Sequence, residues 1–221
     1  MQQPVRIRVD ADTEVSGFFV VPSCTRACYV FAPGAGAGIE HPFMQAIAAG
    51  LGERDIATLR YQFPYMEKGS KRPDPPPVCH KTVRAAIDQA QRLVPAGPLI
   101  AGGKSFGGRM TSQAQAMRSL PGTAGLAFLG FPLHLAGKPS VERAAHLSDI
   151  KMPMLFLQGT RDALADLSLL KPLISTLGTH ATLKIIEGAD HSFHVPVRSG
   201  RTDRDVLEEL LDSFTQWLTT L

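Results

Sequence analysis

The chain has 221 residues, 44% of them hydrophobic and 19% charged, with a formal net charge of +3. This balance suits one globular domain over residues 1–221 with a sizeable core, makes no case for nucleic acid as the main partner, and contains no apolar run of membrane-spanning length. Three cysteines, an odd number, argue against a disulfide framework and for a reducing cytoplasm.

The N-terminus, Met1-Gln2-Gln3-Pro4-Val5-Arg6, lacks the charged-then-apolar layout of a signal peptide. Val5 to Val9 alternates apolar and polar residues, as in a half-buried strand. Asp10 to Glu14 turns the chain, and Val15 to Val21 returns antiparallel. Cys28 to Ala32 is a continuous apolar run, the pattern of a strand buried on both faces. Cys24 and Cys28 have no second ligand pair nearby, so they read as plain thiols and no metal is expected. Pro33-Gly34-Ala35-Gly36-Ala37-Gly38 follows directly. Glycines let backbone N–H groups approach a substrate oxygen with no side chain in the way; a flexible turn is the plainer alternative. Pro42 suits a first helical position, Phe43, Met44, Ile47, Ala48 and Leu51 share one face, and Gly52 closes that helix.

Ile56 to Leu59 is the next strand. Arg60 to Pro77 reads as a long loop carrying Phe63-Pro64-Tyr65, Lys68, Lys71 and Arg72. Long loops tend to be functional, but a solvated charged loop is the favoured reading here. Val83, Ala86, Ile87, Ala90 and Val94 mark a helix ending before Pro95. Leu99-Ile100-Ala101-Gly102-Gly103-Lys104-Ser105-Phe106-Gly107-Gly108-Arg109-Met110 comes next. An apolar run ends in two glycines, one serine follows, and two more glycines open a helical pattern. Gly103, Ser105 and Gly107 spell G-x-S-x-G, the strand-turn-helix motif called a nucleophile elbow. A side chain at Gly103 or Gly107 would collide with neighbouring strand or helix, and the helix aims its first N–H groups at the serine. A phosphate loop is a rival, but its first glycine should be residue 98, which is Pro98, and Gly97 is one place off. Lys104, beside the serine, either serves packing and charge around this turn or faces solvent.

Gly125 to Gly130 is another buried strand. Phe131 to Met152 has room for a loop and one short helix near Val141 to Leu147, and none for a cap domain. Met154 to Gln158 is a strand ending in Gly159-Thr160-Arg161-Asp162. Leu164, Leu167, Leu170, Ile174 and Leu177 form a helical face closed by Gly178. Leu183 to Ile186 is the last strand, followed by Glu187-Gly188-Ala189-Asp190-His191. Thr202-Asp203-Arg204-Asp205 has capping-box form and opens a final helix through Leu207, Leu210, Leu211, Phe214, Leu218 and Leu221. Strands alternating with helices predict an α/β fold: a mostly parallel sheet with an antiparallel N-terminal edge and helices on both faces.

Ser105, Asp162 and His191 each lie just past a predicted parallel strand, at the edge where open α/β sheets bind ligands. Serine is a poor nucleophile alone. It needs a neutral imidazole to take its proton, and the imidazole needs a carboxylate to fix its tautomer. Asp166 is the rival acid. Asp190 is a poor orienter of its sequence neighbour, and His194 lies further from the strand end than His191. His41, His80, His134, His146 and His180 fit no strand-end position after the acid.

Over nearly its full length the chain resembles the α/β-hydrolase superfamily. More narrowly, it resembles the short, capless, dienelactone-hydrolase-like branch that includes testis-expressed protein 30. The resemblance rests on Gly34 to Ala37, Phe63 to Met66, Gly103 to Arg109, Phe131 to His134 with Gly137 to Pro139, Gln158 to Asp162, and Asp190-His191. It implies Ser105 as nucleophile, Asp162 as acid, His191 as base, and backbone N–H groups of Phe106 and the Ala35 region as an oxyanion hole. Dienelactone hydrolase itself uses cysteine where this chain has Ser105, so its substrate is not implied. The expectation is a cytoplasmic serine hydrolase of a small carboxylic ester or thioester, without metal or organic cofactor. A non-catalytic interaction scaffold and a small peptidase of the same fold are the alternatives. The sequence leaves the oligomeric state open.

Overall fold

Side chains of the third strand alternate between two cores. Cys28, Val30 and Ala32 face one, and Ala27, Tyr29 and Phe31 face the other. This period of two lets a strand that is apolar throughout sit in the middle of a sheet with helices on both sides. In the computed structural model, which describes residues 2–94 and 96–221, the strands form one eight-stranded sheet. Met1 and Pro95, the second of them the residue expected from the sequence to follow the helix around Val83, lie outside that description.

The elements are β1 (Gln2–Arg8), β2 (Glu14–Val20), β3 (Ala27–Ala32), α1 (Pro42–Gly52), β4 (Ile56–Tyr61), α2 (Pro64–Glu67), α3 (Pro76–Leu93), β5 (Leu99–Lys104), α4 (Phe106–Met117), β6 (Thr123–Leu129), β7 (Met154–Gly159), α5 (Leu167–Thr176), β8 (Ala181–Ile186) and α6 (Asp203–Leu218). Across the sheet the order is β1-β2-β4-β3-β5-β6-β7-β8. β2 runs antiparallel to both β1 and β4. The pairings from β4 across to β8 are parallel. The antiparallel edge and parallel body are those expected from the sequence.

Helices cover both faces. α1 and α6 meet over Tyr29 and Phe31 through Met44, Ile47, Leu51, Leu210 and Phe214. On the other face α3, α4 and α5 contribute Val83, Ile87, Met110 and Leu170. Each such Leu, Ile or Phe taken out of water stabilises the fold by roughly 1.5–3 kcal/mol before conformational entropy is set against it. Prolines at the first turns of α1 and α3 meet the restriction on φ there. The capping box forms as the sequence predicts: Thr202 Oγ1 accepts from the Asp205 N–H, and Asp205 Oδ2 accepts from the Thr202 N–H.

The stretch from Arg60 to Pro77 departs from the expected solvated loop. β4 runs on through Arg60 and Tyr61, α2 forms within the stretch, and α3 starts at Pro76. Arg60 is buried, with its guanidinium donating to the Ile39 carbonyl and Gln2 Oε1. Phe63 and Tyr65 are also buried, the two rings stacked and Phe63 edge-on to Phe106. Aromatic burial outweighs the charges, while Lys68, Lys71 and Arg72 remain exposed as expected. α5 begins at Leu167, so Leu164 belongs to the turn before it. Between Phe131 and Met152 the chain forms a 3-10 helix, Glu142–Asp149, and no cap domain. The ends of β5, β7 and β8 are left uncovered by any such layer.

Thr202→Ala removes one half of the capping box at the helix that builds much of the second core. It is expected to lower unfolding stability by about 1 kcal/mol, read as a lower urea midpoint with an unchanged slope.

Candidate active site

Ser105 stands between β5 and α4 with φ 49° and ψ −116°. For a residue with a side chain this is a strained backbone, costing on the order of 1–3 kcal/mol. Close approach enforces it. A Cβ on Gly103 would lie 2.5 Å from the Ala32 carbonyl oxygen and 2.8 Å from the Gly107 carbonyl carbon. One on Gly107 would lie 2.5 Å from the Pro33 oxygen and 2.6 Å from that of Ala32. The collisions predicted from the sequence are therefore with the end of β3 and the start of α4. The turn also places Ser105 at the positive end of the α4 dipole.

His191 and Asp162 arrive from the ends of β8 and β7. His191 Nε2 is 2.8 Å from Ser105 Oγ, and His191 Nδ1 is 2.7 Å from Asp162 Oδ2. The Asp162 side chain is fully buried, while that of His191 is 25% exposed. Asp162 Oδ1 accepts from the Leu164 N–H at 2.8 Å, and Oδ2 also accepts from the Gln158 side-chain amide at 2.5 Å. A carboxylate so bound cannot turn, so it fixes the imidazole with Nδ1 as donor and Nε2 as acceptor. This is the geometry of a Ser–His–Asp triad: a hydroxyl, a base aimed at its proton, and an acid that steadies the base once charged.

Ser105 and His191 border a cavity of about 310 Å³, whose wall includes Gly34, Ala35, Phe43, Met44, Lys104 and Leu164, with Asp162 buried behind them. The glycine-rich segment is held open by its own bonds. The Ala37 N–H donates to the Gly34 carbonyl, and the Gly36 N–H donates to the Tyr65 hydroxyl at 3.2 Å. Between these, the Ala35 N–H has no acceptor among the described residues. Phe106 opens α4, so its N–H is one of the helix's free first donors. Its ring turns away from the cavity toward Phe63 and Arg109. The stretch Arg60 to Pro77 thus serves the site at one remove, through the Tyr65 hydroxyl.

The rejected candidates have other partners. Asp166 caps α5, where the Ser168 N–H and hydroxyl hold its carboxyl below the usual range. Asp190 Oδ1 accepts from the N–H groups of Ser192 and His194, closing the loop that carries His191. His194 pairs with Asp203, which raises the His194 pKa. Ser112 and His146 make a second serine–histidine contact of 2.7 Å, but Ser112 is completely buried within α4. Burial and the nearby Arg109 push the His146 pKa down to about 4.

Sequence reasoning missed one group, Gln158, and left a second, Lys104, between two readings. Gln158 at the end of β7 points along the same side as Asp162 and holds its Oδ2. Lys104, for which solvent was one possibility, instead donates from Nζ to the His191 carbonyl oxygen at 2.6 Å. A polar residue ending an otherwise apolar strand was the available signal in both cases.

Residues 25–219 match the family described as "Alpha/beta hydrolase domain". Among solved structures, an α/β serine hydrolase homologue from Coxiella burnetii is 16% identical with a TM-score of 0.75, over 97% of this chain and 96% of that one. A dienelactone hydrolase from Anabaena variabilis is 20% identical with a TM-score of 0.77, over 100% and 97% of the two chains. A lid-less α/β serine hydrolase from Xanthomonas campestris is 19% identical with a TM-score of 0.74, over 98% and 94%. At these identities the structures speak for the fold, and the family match covers most of the sequence. The chain belongs to the α/β-hydrolase family, and its build is that of the members without a lid.

Proposed function

We propose that this serine hydrolase cleaves a small carboxylic ester or thioester through an acyl-enzyme, with Ser105 as nucleophile, His191 as base and Asp162 as acid. The observation that carries this reading is the unbroken line from Ser105 Oγ to His191 Nε2 and from Nδ1 to Asp162 Oδ2, opening on one cavity. Ser105 sits on a nucleophile elbow in this reading. Its Oγ attacks the acyl carbon while its proton passes to His191 Nε2. The backbone N–H groups of Ala35 and Phe106 hold the oxyanion that forms. Nε2 then gives the proton to the leaving alcohol or thiol, whose bond to carbon breaks. A water, deprotonated by the same nitrogen, attacks the acyl carbon and releases Ser105.

Residues 1–221 are taken as one α/β-hydrolase domain, since both cores rest on the same sheet. Within the family we assign the chain to the testis-expressed protein 30-like branch, on the motif Gly103 to Arg109 and the segments that accompany it. A reducing cytoplasm is the compartment we favour, supported by three cysteines that stay unpaired.

The purified protein is expected to take up one fluorophosphonate, on Ser105, since the phosphoryl oxygen mimics the oxyanion. Ser105→Ala should abolish labelling, and His191→Ala should nearly do so. A folded protein that stays unlabelled would favour an interaction scaffold.

A second test separates the two acids. Asp162→Asn should lower kcat on a reactive ester by about 10⁴-fold. Asp166→Asn, whose amide oxygen still accepts from the Ser168 N–H and caps α5, should leave kcat within about twofold and the melting temperature nearly unchanged. The reverse pattern would reassign the acid.

Substrate size is tested with a series of p-nitrophenyl esters. The cavity is small and no lid covers it, so kcat/KM should be higher on soluble short-chain esters than on long-chain emulsions. Preference for emulsions would contradict the proposal.

A further inference from the structure

Lys104 is the last residue of β5, next to Ser105. Besides its bond to the His191 carbonyl, its Nζ lies 5.2 Å from the centre of the Phe193 ring and 6.0 Å from that of Phe43. Gly130 makes room for it. A Cβ on Gly130 would stand 2.9 Å from Lys104 Nζ and 3.5 Å from both Nδ1 and Cε1 of His191. The ammonium and the imidazole edge that faces Asp162 therefore cover the same glycine. Asp162 is fully buried, and in a resting triad its imidazole partner is neutral. A buried carboxylate needs a compensating charge close by. Asp162 and Asp190 are the two carboxylates that act on the Lys104 ammonium. His41, the cap of α1, is the other titratable side chain at the cavity wall.

We propose that Lys104 is a positioning residue of the triad: its ammonium fastens the His191 backbone to the end of β5 and supplies the counter-charge for buried Asp162. The inference rests on the triad reading given above. Its charge also opposes the imidazolium that forms during reaction, so fastening and charge balance must outweigh that repulsion. Burial pushes the ammonium down to about 8, against the pull of Asp162 and Asp190. Above that pH the amine still reaches the carbonyl, but as a weaker donor and with no counter-charge to offer.

The test is the rate of fluorophosphonate labelling on the full chain between about pH 6 and about pH 10, with melting temperatures alongside. Native protein, Lys104→Met and Lys104→Gln are compared. The native rate should fall as pH rises through about 8. Lys104→Met should label about 10- to 100-fold more slowly at neutral pH and lack that alkaline limb. Lys104→Gln keeps a donor without a charge, so it should fall between the two and also lack the limb. A merely structural lysine would change the melting temperature and leave the pH profile alone. A native rate with no alkaline fall overturns the inference, as does a folded Lys104→Met with the native rate and limb. Where the variants do not fold, the native limb decides. A native protein that takes no label sinks the triad reading itself, whereas labelled native protein with an unchanged Lys104→Met sinks this inference alone.

Discussion

The end of β3 and the start of α4 approach each other across the end of β5 more closely than side chains allow. The carbonyl oxygens of Ala32 and Pro33 occupy the space that side chains on Gly103 and Gly107 would need. That contact bends the chain so sharply that Ser105 is forced to positive φ. It also decides what stands beside the serine. The chain leaves β3 at Pro33 and runs straight into the segment holding Ala35, while α4 begins at Phe106. One packing contact thus sets the serine at the junction of the segment that follows β3 and the first turn of α4. The middle of a parallel sheet is the place for such a contact, because neighbouring strands end there at the same level.

The acid and the base are held by a different device, short loops closed by side chains. Asp162 is fixed by Gln158 and by the Leu164 N–H. The segment after β6 braces that loop from outside: the His134 N–H donates to the Leu164 carbonyl, and His134 Nε2 accepts from the Asp166 N–H. The His191 loop is closed by Asp190 in the same manner. Asp166 and Asp190, both rivals of Asp162 by sequence position, use their carboxylates on backbone donors. Aspartates in a turn after a strand have two occupations, and burial separates them: Asp162 is buried, while Asp166 and Asp190 stay open to solvent to a greater degree.

Much of this was legible in the sequence because it follows from local rules. Periodicity gave the strands and helices, Pro42 and Thr202 gave helix starts, and the spacing of Gly103, Ser105 and Gly107 gave the turn. Their places just past predicted parallel strands put Ser105, Asp162 and His191 at one edge. What stayed hidden depends on partners distant in sequence. Arg60 is buried because Gln2 and Ile39 receive its guanidinium, and neither is foretold by the residues around it. Tyr65 enters the core while its hydroxyl reaches Gly36, so a stretch that reads as charged loop is half interior. Lys104 finds its acceptor 87 residues away. Local pattern can mark a polar residue at a strand end, but it does not say which distant group that residue will meet.

The bond from Lys104 to the His191 carbonyl also bears on motion. Ser105 is rooted in the centre of the sheet, whereas His191 rides on a loop after β8, a strand at the sheet's edge. Edge strands and their loops open more readily than central ones. Without a tie, thermal excursions of that loop would carry the imidazole away from the hydroxyl while the rest of the sheet stayed closed. The tie makes His191 follow the end of β5, the same strand end that carries Ser105, so base and nucleophile drift together and the gap between them changes less than either position does.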